Sequence, residues 1–247
     1  VHSLRTAIQD VCEGRDCARV VAAGLATQRS TIVAWSRGSG QALTDAISWQ
    51  DRRNAGWLGR LAPVAEQVRG ITGLPLSPHY GASKLRWCLD HVPAVQRAAA
   101  AGDLVLGPLS SYLVTKLTME RSCVVDPANA SRTLLQDATT LQWSPALLRL
   151  FDLAPSQLPT CVPTRHAFGH VPCAGRLVPL TACSGDQSAA AFALGQPAAD
   201  RALVNVGTGA FIQCPAPDGA PLPEGILRSV LCVDGDGVLT SHEGTVN

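Results

Sequence analysis

Hydrophobic positions change their period several times along the chain, and each change predicts an element. Ser3–Cys12 places Leu4, Ala7, Ile8 and Val11 at helical spacing, which predicts an amphipathic helix. Arg19–Thr27 is a nearly unbroken apolar run and reads as a buried strand. Thr31–Trp35 reads as a second, turned back by Gly38–Gly40 into a return strand before Ala46. The polar cluster Gln50–Asp51–Arg52–Arg53 precedes a long helix expected over Asn54–Arg69, closed by Gly70 and Gly73. Pro75–Tyr80 reads as loop. Ser83–His91 predicts an amphipathic helix opened by a serine cap and closed by Pro93, and Val95–Ala101 a short alanine-rich helix. Leu104–Leu106 reads as a brief strand, Ser110–Leu117 as a helix and Asp126–Thr133 as a structured turn. Leu147–Leu150 and Pro155–Leu158 read as helical fragments, and Thr160–Gly175 as a linker.

The pattern then sharpens. Val178–Cys183 is an apolar strand, Ser184–Gly185–Asp186–Gln187 a polar turn, and Ser188–Leu194 a small-residue helix. Strand, glycine turn and helix expose a side chain at the carboxyl edge of an α/β sheet, where ligands bind. After a break at Gln196–Asp200 come extended segments at Ala202–Val206, Phe211–Cys214 and Ile226–Val233, with a fourth at Val238–His242. They read as an antiparallel meander, which alone leaves one face unburied. The switch from strand–helix alternation to consecutive strands divides the chain into an α/β domain over residues 1–195 and the start of a second over 200–247.

Composition narrows the classes. The 247 residues are 46% hydrophobic and 16% charged, enough for a substantial core, and a net charge of +1 points to neither nucleic acid nor an anionic membrane. No apolar run approaches membrane-spanning length, and VHSLRTAIQD has no signal-peptide pattern. The nine cysteines include no C-x-x-C, and Cys12, Cys88, Cys183, Cys214 and Cys232 lie among apolar neighbours. That favours a reducing cytoplasm over a disulfide scaffold. Cys161, His166, His170 and Cys173 are zinc-ligand types, but Pro163, Gly169 and Pro172 interrupt them at no usual finger spacing, so a connecting loop without metal is expected.

Four local patterns can carry chemistry, and each has an ordinary alternative. Asp186 can serve as general base, metal ligand or helix cap. Gly207–Thr208–Gly209 can cradle a phosphate with backbone N–H groups or simply turn a hairpin. Arg29 lies just past a strand end, where it can bind a polyol or anion or stand exposed. Trp49, Asp51 and Arg53 combine a stacking face, an acceptor and a forked donor, as sugar sites do, although a tryptophan near a strand end is more often core.

Their order is more specific than any one of them. GLATQRSTIVAW (Gly24–Trp35), AISWQDRR (Ala46–Arg53), SKLRWCLDHV (Ser83–Val92), NASRT (Asn129–Thr133), GDQ (Gly185–Gln187) and GTGAF (Gly207–Phe211) together resemble the FGGY carbohydrate kinases, in look closest to their glycerol kinase branch. The resemblance runs over nearly the whole chain. It implies an actin-like ATPase (ribonuclease H-like) α/β fold and transfer of the γ-phosphoryl of ATP, with Mg2+, to a hydroxyl of a polyol or sugar. By resemblance Asp186 is the base. Gln187 lies near substrate and phosphates, and Arg29, Trp49, Asp51 and Phe211 contact the substrate. Gly207, Thr208 and Gly209 form the phosphate hairpin of the second domain.

Two positions depart from the glycerol-phosphorylating pattern: Ser30 replaces a glutamate and Pro127 a tyrosine. Asp51 in W-x-D-x-R matches sugar-using relatives, so another polyol or a ketose is open as substrate. The family's opening D-x-G-T-[ST] hairpin and its adenine pocket are not in these 247 residues. That implies a fragment of a longer kinase, inactive alone and prone to association, with homo-oligomers left open. A non-catalytic sugar- or partner-binding remnant is the alternative; no Ser–His or metal cluster supports a hydrolase.

Overall fold

A computed structural model describes residues 1–13, 17–206, 210–217 and 220–246. In chain order its helices and strands are α1 (His2–Cys12), β1 (Ala23–Thr27), β2 (Ile32–Ser36), α2 (Ala55–Gly59), α3 (Ala65–Thr72), α4 (Gly81–His91), α5 (Pro93–Ala100), β3 (Leu104–Pro108), α6 (Leu109–Leu117), β4 (Val124–Val125), α7 (Pro127–Ser131), α8 (Pro145–Phe151), β5 (Thr160–Cys161), β6 (Arg165–Cys173), β7 (Arg176–Gly185), α9 (Asp186–Ala190), β8 (Leu203–Val206), β9 (Ala210–Ala216), β10 (Leu227–Asp234) and β11 (Gly237–Val246).

The pairing that positions the site is β1 with β7, parallel, with Thr27 opposite Gly185. β6 and β7 form an antiparallel hairpin, giving a sheet ordered β1-β7-β6. β2 pairs antiparallel with β3. All five residues of β2 are buried, because helices cover one face of the ribbon and Trp35 packs on Tyr112 at 5.6 Å on the other. A strand covered on both faces needs no polar alternation, and its sequence shows none.

Ile32, Ala34, Leu85, Leu104, Leu106 and Phe151 belong to the main core, built around α4, α8 and the β2–β3 ribbon. A smaller core, with Phe168, Leu180 and Cys183, joins α6 to the β6–β7 hairpin, and α1 lays Leu4 and Ile8 against it.

Several elements differ from the sequence expectation. The long helix over 54–69 is two short ones, α2 and α3, separated by a 3-10 turn at Ala62–Val64, because Pro63 has no amide to donate and clashes with the preceding turn. The return strand after Gly40 is reduced to isolated bridges, Ile32 to Ile47 and Trp35 to Ala42, on the edge of β2 opposite β3. The strand expected from Arg19 starts only at Ala23, leaving Val21 80% exposed. Ser83 is not a cap. α4 starts at Gly81, and the amides of Gly81 and Ala82 donate instead to the carbonyls of Arg132 (3.2 Å) and Thr133 (2.7 Å).

The supposed linker over 160–175 is largely β5 and β6. The helix after Gly185 begins at Asp186 and ends by Ala190, earlier and shorter than expected. The last four strands are not a meander. Their order, β10-β11-β9-β8, puts β11 between β10 and β9, so the hairpin β10–β11 folds back onto its predecessor. Of the cysteines expected in the core, Cys88 and Cys183 are buried, Cys12 and Cys232 only partly so, and Cys214 is exposed. All nine are free.

The start of α4 is a close approach. A Cβ on Gly81 would stand 3.1 Å from Ile32 Cγ2 and 3.2 Å from the Thr133 Cα. Gly81→Ala should therefore cost about 1–3 kcal/mol by overpacking, read as a lower urea midpoint. An unchanged midpoint would show that the α4–β2 contact yields freely.

Candidate functional site

The parallel register of β1 and β7 carries both chains out of the sheet at the same edge. β1 delivers Arg29 two residues past Thr27, and β7 delivers Asp186 one residue past Gly185. Gly185 is required by this crossing: a Cβ there would lie 2.6 Å from both Cγ and Cδ of Arg29. Asp186 is exposed, opens α9 and accepts from the Gln187 amide at 2.8 Å. Its carboxylate acts electrostatically on the Arg29 guanidinium. Gln187 is half-buried and receives a long contact, 3.5 Å, from Asn205 Nδ2 on β8.

Trp49 lies beside this edge. It is 37% exposed, not core, and its ring meets His79 edge-on at 5.4 Å. Its amide is held by Thr31 Oγ1 at 3.0 Å. Lys84, fully buried on α4, ties the two segments together by donating to the carbonyls of Ser30 (2.9 Å) and Ser48 (3.0 Å). Burial pulls its ammonium down to about 8, with the Asp51 carboxylate working against that fall. Ser30 itself has φ +64, and its buried hydroxyl has no partner.

Asp51 is used differently from the expected substrate contact. Both its oxygens accept from Arg53, at 2.6 to 3.0 Å, and Arg53 in turn lies 4.5 Å over the Trp87 ring. The pair is half-exposed and braces the loop before α2. Phe211 sits on β9 opposite Asn205, partly buried. Gly207, Thr208 and Gly209 lie outside the described residues.

The NASRT segment is a helix, α7, capped by Asp126, which accepts from the Asn129 amide (3.1 Å) and Nδ2 (2.8 Å). Asn129 in turn accepts from Thr27 at the end of β1, at 3.2 Å. Burial pushes the Asp126 carboxyl up to about 6 against those hydrogen bonds. Pro127 is the first helical residue, where a missing amide costs nothing.

The group missed by sequence reading is Glu243 on β11. It is 3% exposed and accepts from Arg29 (3.1 and 3.2 Å), Arg132 (3.0 Å), Ser229 (2.6 Å) and Gln213 (3.1 Å). Arg132 also donates to Ser229 and hydrogen-bonds Tyr80. Burial by itself would raise the Glu243 carboxyl, but the Arg132 and Arg29 charges, with their hydrogen bonds, hold it below the usual carboxylate range. The available signal was SHEG: Ser241 and Glu243 alternate onto one face of a strand, so a charged side chain points inward. Among the described residues no group of three or more His, Cys, Asp or Glu is arranged to hold a metal ion, and His170 pairs instead with Glu120 at 2.6 Å.

This fold, with an aspartate and an arginine at the carboxyl edge of paired parallel strands, is that of an actin-like ATPase domain as found in sugar kinases. The N-terminal domain of the FGGY family of carbohydrate kinases matches residues 1–193, and the chain belongs to that family. It is 37% identical over 234 residues to a glycerol kinase of Geobacter sp. (strain M21), covering 93% of this chain and 47% of that one. A glycerol kinase of Ralstonia nicotianae is equally similar, again 37% over 234 residues, 93% of this chain and 47% of that one. The chain thus spans about half the length of the curated relatives it matches. Among solved structures, Plasmodium falciparum glycerol kinase with ADP superposes with a TM-score of 0.81 at 27% identity, over 91% of this chain and 46% of that one. A gluconate kinase from Lactobacillus acidophilus shares the fold at 19% identity, TM-score 0.80, over 100% of this chain and 50% of that one.

His79 gives the site a pH signature. Burial, and then the Lys84, Arg132 and Arg29 charges, pull its imidazole from 6.5 down to about 4, against the Glu243 carboxylate. Between those values the unfolded chain takes up a proton that the folded one refuses, so stability falls as pH falls. His79 alone should contribute a loss of about 2 kcal/mol from pH 7.5 to 5, one and a half pKa units, while the raised Asp126 carboxyl works in the opposite direction over the same range. Urea titrations at the two pH values should therefore show stability changing less favourably on acidification in the wild type than in His79→Gln, by about that difference. An equal change in both would move the effect to another group.

Proposed function

We propose that this chain is the substrate-binding part of an ATP-dependent kinase that phosphorylates a hydroxyl of a polyol or ketose. The observation carrying this reading is the convergence of Arg29 and Asp186 at one sheet edge, with Gly185 cleared for the arginine to pass. Asp186 is exposed and acts as general base, taking the proton from the attacking hydroxyl. Arg29 donates to substrate oxygens with the N–H groups that Glu243 leaves free. Trp49 offers its open ring face to carbon, with Phe211 on the apolar side and Gln187 beside the base. Asp51 acts on the substrate through Arg53 or after releasing it.

ATP with Mg2+ would supply the phosphoryl group and neutralise charge on it. Gly207, Thr208 and Gly209, between β8 and β9 in sequence, are its proposed phosphate contacts. Residues 1–195 form the substrate domain in this reading and 200–247 open the nucleotide domain. The half-length match to the relatives and the exposed Val204, Val206 and Ile212 on β8 and β9 support that division. Ser30 and Pro127 leave two substrate positions without the carboxylate and phenol of the glycerol-phosphorylating pattern, so the substrate class includes polyols other than glycerol.

The test is ATP consumption by the full-length protein against glycerol, longer polyols and ketoses such as D-xylulose. Asp186→Asn should lower kcat by about 10²–10⁴-fold with KM nearly unchanged. Arg29→Ala should raise KM first, since it removes a ground-state contact. An Asp186→Asn protein with wild-type kcat, or no turnover of any panel member, would reject the reading. The 247 residues alone should turn over none of the panel.

A further inference from the structure

The first substrate arginine is not free in its site. Arg29, 10% exposed, spends both terminal nitrogens on Glu243, and that carboxylate belongs to a strand of the other sheet, 214 residues away. Its oxygens are fixed in turn from three sides, by Arg132 at the end of α7, by Ser229 on β10 and by Gln213 directly opposite on β9. Two guanidinium groups share one carboxylate here, so its removal leaves Arg29 with Asp186 as the carboxylate acting on it.

We propose that Glu243 is a positioning residue: it holds the Arg29 guanidinium in its substrate-binding orientation and away from Asp186, and it does so only while the sheet that carries it is docked on α7 through β10. The inference rests on the reading of Arg29 as a substrate contact. It gives β11 a role in substrate recognition through a side chain that does not itself touch substrate, because Glu243 sets the donor that the substrate meets. The geometry is suited to this. A bidentate carboxylate fixes the plane of a guanidinium, which a single hydrogen bond does not.

The experiment is steady-state kinetics on the full-length protein with glycerol, or with the panel member of highest kcat/KM if glycerol is not turned over. Glu243→Gln should raise KM about tenfold, the scale of one charge-assisted hydrogen bond, with kcat changed far less. In an Arg29→Ala background the same substitution should add no further rise in KM, because its effect runs through the arginine. Glu243→Asp keeps the charge but withdraws it by one methylene. It should raise KM by a smaller factor with a smaller fall in melting temperature than Glu243→Gln, and it carries the test if Glu243→Gln fails to fold. An unchanged KM in whichever variant folds, or an equal rise with and without Arg29, would overturn the proposal. If Arg29→Ala itself leaves KM unchanged, the substrate reading of Arg29 falls and this inference with it. If Arg29→Ala raises KM while the Glu243 variants do not, only the inference falls.

Discussion

The parallel pairing of β1 and β7 is the constraint on which the rest of this structure depends. Hydrogen bonding in register from Leu25 opposite Cys183 to Thr27 opposite Gly185 makes both strands leave the sheet together. Two side chains far apart in sequence, Arg29 and Asp186, are therefore delivered to one edge without any contact between them having to be specified. What the sequence must specify is clearance, and it does so with Gly185, since any Cβ there would occupy the path of Arg29. The exits are then stiffened separately: Lys84 gathers the carbonyls after β1 and before Trp49, and Asn129 reaches back to Thr27.

Buried charge is concentrated at that edge and is satisfied locally. Glu243, Arg132 and Arg29 are all removed from water, and an ion group of this kind seldom adds net stability over an apolar replacement. Its better-supported value is register. The polar row Ser229, Ser241, Gln213 and Glu243 covers the buried face of the second sheet, and only one placement on α7 lets Glu243 meet both arginines. An apolar face of the same shape would bind α7 as strongly and tolerate sliding. The neutral imidazole of His79 beside these charges fits the same economy, since one more cation there would have no carboxylate left to pair with.

Much of the fold was legible in the sequence, and the reasons follow from particular residues. β2, α4, α5, β3 and α6 declared themselves by period, because each buries one face or both and nothing competes with the pattern, and α1 did so although only Leu4 and Ile8 of its apolar face pack and Val11 is 63% exposed. The helix over 54–69 misled because Pro63 was outweighed by its helix-favouring neighbours. β6 misled because its histidines, prolines and glycine compose like a loop, yet β7 beside it supplies the ladder. The order of the last sheet was unreadable, since whether β9 pairs with β10 or β11 depends on a fold-back that no local residue marks. The site divided in the same way. Arg29, Trp49 and Asp186 stand next to turns and could be found. Glu243, His79 and Arg132 acquire much of their meaning from distant partners, Arg29 lying 214 residues from Glu243 and Arg132 111.

The distribution of these partners also separates side chains that the fold needs from side chains that it does not. Ser30 and Pro127 occupy positions whose backbone is fixed from elsewhere: Ser30 by Lys84 on its carbonyl, Pro127 by the Asp126 cap of α7. Neither side chain holds the fold, so each is free to change the hydrogen bonds offered to a ligand at little structural cost. Arg29 is the opposite case. Its side chain is at once a donor at the sheet edge and half of the ion group that docks β11. Changing it would disturb ligand and domain contact together. On the proposed reading of the site, such an arrangement separates residues that tune which hydroxyl compound fits from those that fix where it lies.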